Sequence, residues 1–499
     1  VSEINADLEK RGIAPHIQGY KSWFVTDFSA QDPLGGLLYP YLRLNGVHIQ
    51  DGYPCFLTTA HSEEDFRFIA KAFRDGVDAL QAVGILPPKR ADGSTTLQAA
   101  APATTVGKSS RPDTAPLTEA QAEIWLAAQA GDGASCSFNE SFTLSLDGTL
   151  DEAAFIGAFK TVIARHDALH IRFSRSGERF SFIPDFNLDL PVLDLTQEDD
   201  GGAILRDLIA TEAHIPFDLV NGPLARATLV RLSGDRHAFV FTAHHIVCDG
   251  WSMNVLIEEL STAYSATVRG EAARFEPALS FAAYATEHAP KSEPTGETAR
   301  FWLDQFKDIP EVLEMPFDRP HPERRSFAGG TCTKTIRKEV YQKLKKRGAR
   351  AGATLFSTLL AALQVMVSRL SGQSEVVIAV PSAGQSLLED QILVGHCVNL
   401  LPLRQSVQPS SSFEDHLKAT QQLVLKAFEH QDYTYGTLVR TLGVRRDPHR
   451  LPLTGIQFNL ERVASNAEFP GLTANVEPNA KAFSNFDMFL NMIEGPEGI

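Results

Sequence analysis

His244-His245-Ile246-Val247-Cys248-Asp249-Gly250 decides the reading of this 499-residue chain. Two adjacent histidines are followed by an aspartate four residues after the second, and then by a glycine. The preceding run, His237 to Ala243, is apolar and partly alternating, as in a buried strand. Beyond the motif, Val255, Leu256, Leu260, Ala263, Tyr264 and Thr267 recur at helical spacing, which predicts a helix over Met253 to Arg269 with Ser252 as its N-cap. The motif therefore falls on a strand-to-helix loop. There a rigid scaffold holds an imidazole still, and a helix N-terminus offers partial positive charge. Such a loop suits proton transfer.

Composition sets the class. With 43% hydrophobic and 21% charged residues the chain buries ample core and has room for about three domain-sized units. Its net charge of -15 and the lack of a basic stripe argue against nucleic acid as a partner. The five cysteines are scattered without C-x-x-C spacing, so a reduced, cytoplasmic setting is expected. No apolar run approaches the ~18 residues of a membrane span, so no membrane partner is expected. The start at Val1 has no leader-like pattern and reads as a piece cut from something longer.

Residues 1–86 form a first block. It is expected to hold an apolar helix or turn at Leu34–Leu42, short strands at Gly46–Ile49 and Pro54–Ala60, and an amphipathic helix from Glu63 to Ala82. That helix presents Phe66, Ile69, Ala70, Phe73, Val77 and Leu80 on one face. Residues 87–114, rich in Pro, Ala, Thr, Ser and Gly, read as a flexible linker. The second block opens on a capping box, Thr118-Glu-Ala-Gln121. Helices are predicted over Asp151–Ala164, Val340–Lys346 and Leu355–Leu370, and strands over His170–Phe173, Arg226–Leu232, His237–Ala243 and Glu375–Val380. Alternating strands and helices argue an α/β layered architecture.

The second block resembles a condensation domain of non-ribosomal peptide synthetases. The resemblance is carried, in the family's order, by Leu117-Thr-Glu-Ala-Gln-Ala-Glu-Ile-Trp125, Arg165-His-Asp-Ala-Leu169, Phe217-Asp-Leu-Val-Asn-Gly-Pro-Leu-Ala-Arg226 and His244–Ser252. It continues through Gly395-His-Cys-Val-Asn-Leu-Leu-Pro-Leu-Arg404, His430-Gln-Asp-Tyr433 and Arg446-Asp-Pro-His-Arg450. It implies a two-lobed, chloramphenicol acetyltransferase-like fold, with an N-lobe over 115–277 and a C-lobe over 278–499. The C-lobe is expected to be truncated before the family's final strand and helix, and so less stable. It also implies a reaction: the amine of an acceptor aminoacyl thioester attacks a donor acyl thioester. Both substrates ride on phosphopantetheine arms of separate carrier domains, and no cofactor binds directly.

His245 maps onto the family's catalytic position, where it takes the proton or orients the amine; both roles stand open. His244 is expected to order the loop. Asp249 matches a position that is usually structural and is expected to pair with a buried arginine, for which Arg165 is the candidate. Gly250 allows a tight turn, and its N–H is expected to face the developing oxyanion. Trp251 and Ser252 are placed at a channel mouth or, for Trp251, in core packing at a helix start, and Asn399 lies close to the tunnel. His170 stands where the family commonly has a second arginine, so any role of that arginine is in doubt here. Rival readings are a metal site on the His–Asp spacing, which lacks an identifiable third ligand, and a glycerolipid acyltransferase on His244-x4-Asp249. Two further rivals are an epimerization domain and a non-catalytic platform that recruits carriers on the same fold. Epimerization domains usually carry Ser-Trp after the motif, against Trp251-Ser252 here.

The first block resembles the C-terminal end of a class III, glutamate-1-semialdehyde-type aminotransferase, a small α+β remnant. The carrying residues are Phe28-Ser-Ala-Gln-Asp-Pro-Leu-Gly-Gly36, Tyr39 to Val47 and Phe56-Leu-Thr-Thr-Ala-His-Ser62. Most of the family's PLP pocket, with its Schiff-base lysine, falls before Val1, so PLP is not expected in this fragment. In hybrid polyketide–peptide synthases such a domain precedes a condensation domain. The implied neighbours are carrier, adenylation and polyketide synthase domains, and the implied donor is a 3-amino acyl thioester.

Overall fold

Two compact units divide the chain, Val1–Gly107 and Lys108–Ile499. The computed structural model describes residues 113–289, 296–388, 392–444, 450–462, 467–495 and 498–499 of the second unit. In the first it describes 4–5, 8, 11, 17–20, 23–26, 38–47, 49, 55–56 and 62–82.

In the first unit, the strands Ile17–Tyr20, Trp23–Thr26 and Cys55–Phe56 form a three-stranded sheet, and the helices Leu38–Leu44 and Glu63–Ala82 share a core. Phe73, Val77 and Leu80 pack with Leu38 and Leu42, as the 3.6-residue spacing requires. Phe66, expected on that face, is instead 37% exposed, because it lies in the first turn beyond the contact. Val47 and Ile49 belong to no strand. The motif Phe28–Gly36 and residues 57–61 lie outside the described residues, as do 87–112 of the linker. Its last residue, Thr114, already opens a strand paired with Arg179–Phe182.

The second unit is built on two larger sheets. The first has the strand order Thr473–Pro478, Asn139–Asp147, Arg236–His244, Ala225–Ser233, Val192–Asp194. Its central strand, Arg236–His244, is buried at eight of its nine positions. That is why its sequence is nearly continuously apolar rather than strictly alternating. The helices Glu152–Arg165 and Gly250–Val268 cover this sheet through Phe155, Phe159, Leu256 and Leu260. The second sheet runs Val398–Ser406, Glu375–Ala383, Ile456–Arg462, Met488–Glu494, with the helix Leu355–Ser371 in its core. Lobe membership does not follow chain order strictly: Thr473–Pro478, far beyond residue 278, completes the first sheet as an edge strand against Asn139–Asp147. Its exposed alternation, one face toward water, carries no signal of which sheet it joins.

No single described helix is long and apolar enough to cross a membrane. A bent pair, Lys338–Arg350 and Leu355–Ser371, passes by composition alone, and the second of these is packed in the core.

Candidate active site

The apolar strand Arg236–His244 delivers the histidine pair to the end of the sheet, and the chain turns at once into the helix Gly250–Val268. The loop between is tied at several points. His245 N–H donates to Phe138 O at 2.7 Å and Val247 N–H to His244 O at 3.0 Å. Gln121, locked by the Thr118 capping box, donates its amide to Ile246 O at 3.0 Å.

The His245 ring has one decisive bond. Its Nδ1 lies 3.0 Å from Cys248 O. A carbonyl only accepts, so in the neutral ring Nδ1 is the nitrogen that carries the proton and Nε2 is the one with the lone pair. His244 is wired differently. Its ring is fully buried against Phe138 and Phe217, Nδ1 accepts from Ile246 N–H at 3.3 Å, and Nε2 faces Ser135 Oγ at 3.4 Å. Burial above all, then the neighbouring His245 charge, pushes its pKa down to about 3. His244 is a neutral packing residue.

Asp249, fully buried, caps the helix in place of the expected Ser252. Its Oδ1 accepts from Ser252 N–H at 2.9 Å and Ser252 Oγ at 2.7 Å. Its Oδ2 accepts from Gln385 Nε2 at 2.7 Å and Cys397 N–H at 3.1 Å. Four donors and a helix N-terminus stabilise this carboxylate, where the sequence suggested an arginine. The Arg165 pairing is thereby corrected. Arg165 forks onto Glu259, with both N–O distances 3.0 Å, bonds Glu276 O at 2.8 Å, and lies over the Phe275 ring at 4.2 Å. It pins the helix that Asp249 caps, one step removed from the chemistry.

Gly250 is the first helical residue, and its backbone is not left-handed; the tight turn expected of it is absent. An added Cβ would lie in ordinary van der Waals contact, 3.5 Å from Glu461 Oε1, so neither space nor backbone demands glycine here. Ser252 is buried, whereas Trp251 is 46% exposed, which excludes core packing. Asn399 is fully engaged with backbone: Nδ2 donates to Gln431 O and Tyr433 O, and Oδ1 accepts from the Leu400 and Tyr435 amides. Its part is to hold the Val398–Ser406 strand. His170 bonds Ile163 O at 2.7 Å and stacks on Phe186.

Several residues at the site were not singled out from sequence. His396 meets the His245 ring edge-on, with centroids 4.7 Å apart. Gln385 joins Asp249 as described. Glu140 pairs with Lys481; burial pushes its carboxyl up, but the Lys481 ammonium and the His245 charge outweigh this and hold it below the usual range. Glu461, pushed up by burial, accepts from the Asn459 and Asn491 amides. His396 sat inside a quoted motif, so a signal existed; Glu140, Lys481 and Glu461 come from distant strands and loops with no local pattern. Among the described residues, no group of three or more His, Cys, Asp or Glu is placed to hold a metal ion.

The Glu259 cluster makes a prediction about pH. Burial raises this carboxyl, while hydrogen bonds from His166 and Arg165 more than offset it and set it below its ordinary value. A depressed carboxyl stabilises the fold fully above its unfolded pKa, and that contribution is lost as pH falls through the folded pKa. Glu259→Gln is expected to flatten the acid limb of stability and to cost roughly 1–3 kcal/mol at neutral pH. Thermal melts from neutral to acidic pH check this; an unchanged acid limb contradicts it.

Comparison with known proteins identifies the family of the second unit. The Condensation domain family model matches residues 111–498. Tyrocidine synthase 3 of Brevibacillus parabrevis is 34% identical over 387 residues, 77% of this chain and 6% of that protein. Malpibaldin synthetase of Mortierella alpina is 34% identical over 397 residues, 78% of this chain and 7% of that protein. The chain thus spans under a tenth of the length of these relatives. Among solved structures, the X-domain from teicoplanin biosynthesis matches with a TM-score of 0.65 at 25% identity, covering 77% of this chain and 86% of that one. The first condensation domain of the calcium-dependent antibiotic synthetase matches with a TM-score of 0.66 at 22% identity, covering 77% and 89%, and shows the shared fold. The chain belongs to the condensation domain family of non-ribosomal peptide synthetases, whose reaction is amide-bond formation.

Proposed function

We propose that this domain joins a carrier-bound donor acyl thioester to the amine of a carrier-bound aminoacyl thioester, with His245 Nε2 as the proton acceptor. The observation that carries the assignment is the 3.0 Å bond from His245 Nδ1–H to Cys248 O, which leaves Nε2 with its lone pair. The amine attacks as the free base, and the tetrahedral intermediate then sheds an N–H proton to Nε2. The helix N-terminus at Gly250 adds partial positive charge beside the reacting centre. Delivery on two phosphopantetheine arms supplies proximity, so no bound cofactor is called for. His244, Asp249, Arg165, Ser252 and Asn399 act as scaffold.

The partners are the upstream and downstream carrier domains, with adenylation and polyketide synthase domains in the same cytoplasmic assembly. The first unit is read as part of an aminotransferase-type domain that acts on a carrier-bound β-keto chain. The donor is accordingly a 3-amino acyl thioester. With matched chain lengths loaded on excised carriers, a 3-amino donor is expected to outcompete its 2-amino isomer about tenfold or more in kcat/KM, which corresponds to about 1.4 kcal/mol. A preference for the 2-amino donor contradicts the donor assignment and leaves the condensation reaction itself intact.

A further inference from the structure

Amide formation makes two demands at once: a proton must leave the attacking nitrogen, and negative charge on the carbonyl oxygen must be held. His245 meets only the first, because its single N–H is committed to Cys248 O. A second imidazole stands beside it. His396 is 4% exposed, its ring lies at 77° to that of His245 with centroids 4.7 Å apart, and its Nδ1 is buried with no hydrogen-bond partner. A buried polar group without a partner is costly and uncommon, and calls for an explanation.

The backbone on both sides of this ring is clamped by the histidine motif itself. Gly395 N–H donates to Ser252 Oγ at 3.0 Å, and Gln385 Nε2 donates to Gly395 O at 3.3 Å. Cys397 N–H donates to Asp249 Oδ2 at 3.1 Å. Gly395 adopts φ +153°, and a Cβ there would fall 2.0 Å from the Phe281 ring, so only glycine fits this approach. Asp249 and Ser252 therefore place one imidazole against the other. Burial above all, then the neighbouring His245 and His244 rings, which disfavour a second positive charge beside them, push the His396 pKa well below its ordinary value. The ring stays neutral and keeps one N–H and one lone pair.

We propose that His396 is a catalytic residue whose uncommitted N–H hydrogen-bonds the donor thioester's carbonyl oxygen as that oxygen becomes anionic. The amine nitrogen bonds to the carbonyl carbon, and the C=O π pair moves to oxygen, held by His396 without transfer of its proton. His245 takes a proton from the nitrogen. The oxygen pair then re-forms C=O, the C–S bond breaks, and the leaving thiolate receives the proton from His245. The assignment rests on the reading of His245 as base. A neutral buried donor aimed at developing charge is worth on the order of 10²–10³ in kcat.

The test is single-turnover and steady-state amide formation by the whole chain, with donor and acceptor supplied as pantetheine thioesters. His396→Phe keeps an aromatic ring against His245 and removes both nitrogens. It is expected to lose about 10²–10³ in kcat with KM for both substrates within threefold and an unchanged melting temperature. His396→Asn and His396→Gln restore an N–H at the Nδ1 and Nε2 places, and one of them is expected to recover at least tenfold over the phenylalanine variant. A His396→Phe enzyme within threefold of the parent overturns the proposal, as does loss expressed in KM alone. Equal loss in all three variants also overturns it, and the two amide variants retain that power even if the phenylalanine variant fails to fold. With His245→Ala inactive and His396→Phe fully active, the donor role falls while the condensation reading stands.

Discussion

Replacing His245 with alanine is expected to lower kcat for amide formation roughly 10²–10⁴-fold while KM and the melting temperature stay close to those of the parent. The size follows from the geometry. Cys248 O holds the ring by Nδ1 and aims the Nε2 lone pair away from the loop, so removal of the ring deletes the proton acceptor outright. The fold should tolerate the change. His245 is only partly buried, and the loop keeps its own ties through the His245 amide to Phe138 O and Gln121 to Ile246 O. His244→Phe, by contrast, replaces a neutral ring packed between Phe138 and Phe217, and is expected to affect stability before rate. Steady-state kinetics beside thermal melts separate the two histidines. A His244 variant as slow as His245→Ala at unchanged stability contradicts the division of roles.

Asp249→Ala is expected to cost about 3 kcal/mol of stability and to abolish measurable activity. The carboxylate takes four hydrogen bonds in a fully buried place, so its removal strands the Ser252 and Cys397 amides and the Gln385 side chain. Each stranded donor costs roughly 1–3 kcal/mol, and the terms do not simply add. Loss of the N-cap is one part of this. The activity follows because the same residue joins the histidine loop to the segment Gly395–Cys397. Arg165→Ala offers the contrast, since its partner Glu259 lies mid-helix, more than two turns from the Asp249 cap: stability falls while the residual kcat of the folded fraction holds. Denaturant unfolding and kinetics on the three proteins check the difference. An Asp249→Ala enzyme of parental stability contradicts the clamp.

The strand, loop and helix around the motif were legible in sequence because each is specified locally. The apolar run marks the strand, the Thr118 capping box marks a helix start, and the β-branched run at Glu375–Val380 marks the core of the second sheet. What escaped is long-range. Local sequence points to Ser252 as the cap of the motif helix because serine is a common N-cap, yet the buried Asp249 takes the position through Oδ1 and keeps Oδ2 for distant donors. The family resemblance points to Arg165 as the partner of Asp249; in the structure Glu259 takes the arginine, and amides satisfy the aspartate. Neither choice is visible without the packing of the helices Glu152–Arg165 and Gly250–Val268. The edge strand Thr473–Pro478 and the Glu140–Lys481 pair bring together residues more than three hundred apart, which no local period encodes.

The central claim, that the bare Nε2 of His245 accepts the proton during amide formation, is tested most directly by single-turnover amide formation with both substrates loaded on carriers. His245→Ala is compared with the parent, with and without added imidazole. The expected result is a rate at least about 10²-fold below the parent, with partial recovery that grows with imidazole concentration. A His245→Ala enzyme that forms the amide within threefold of the parental rate contradicts it.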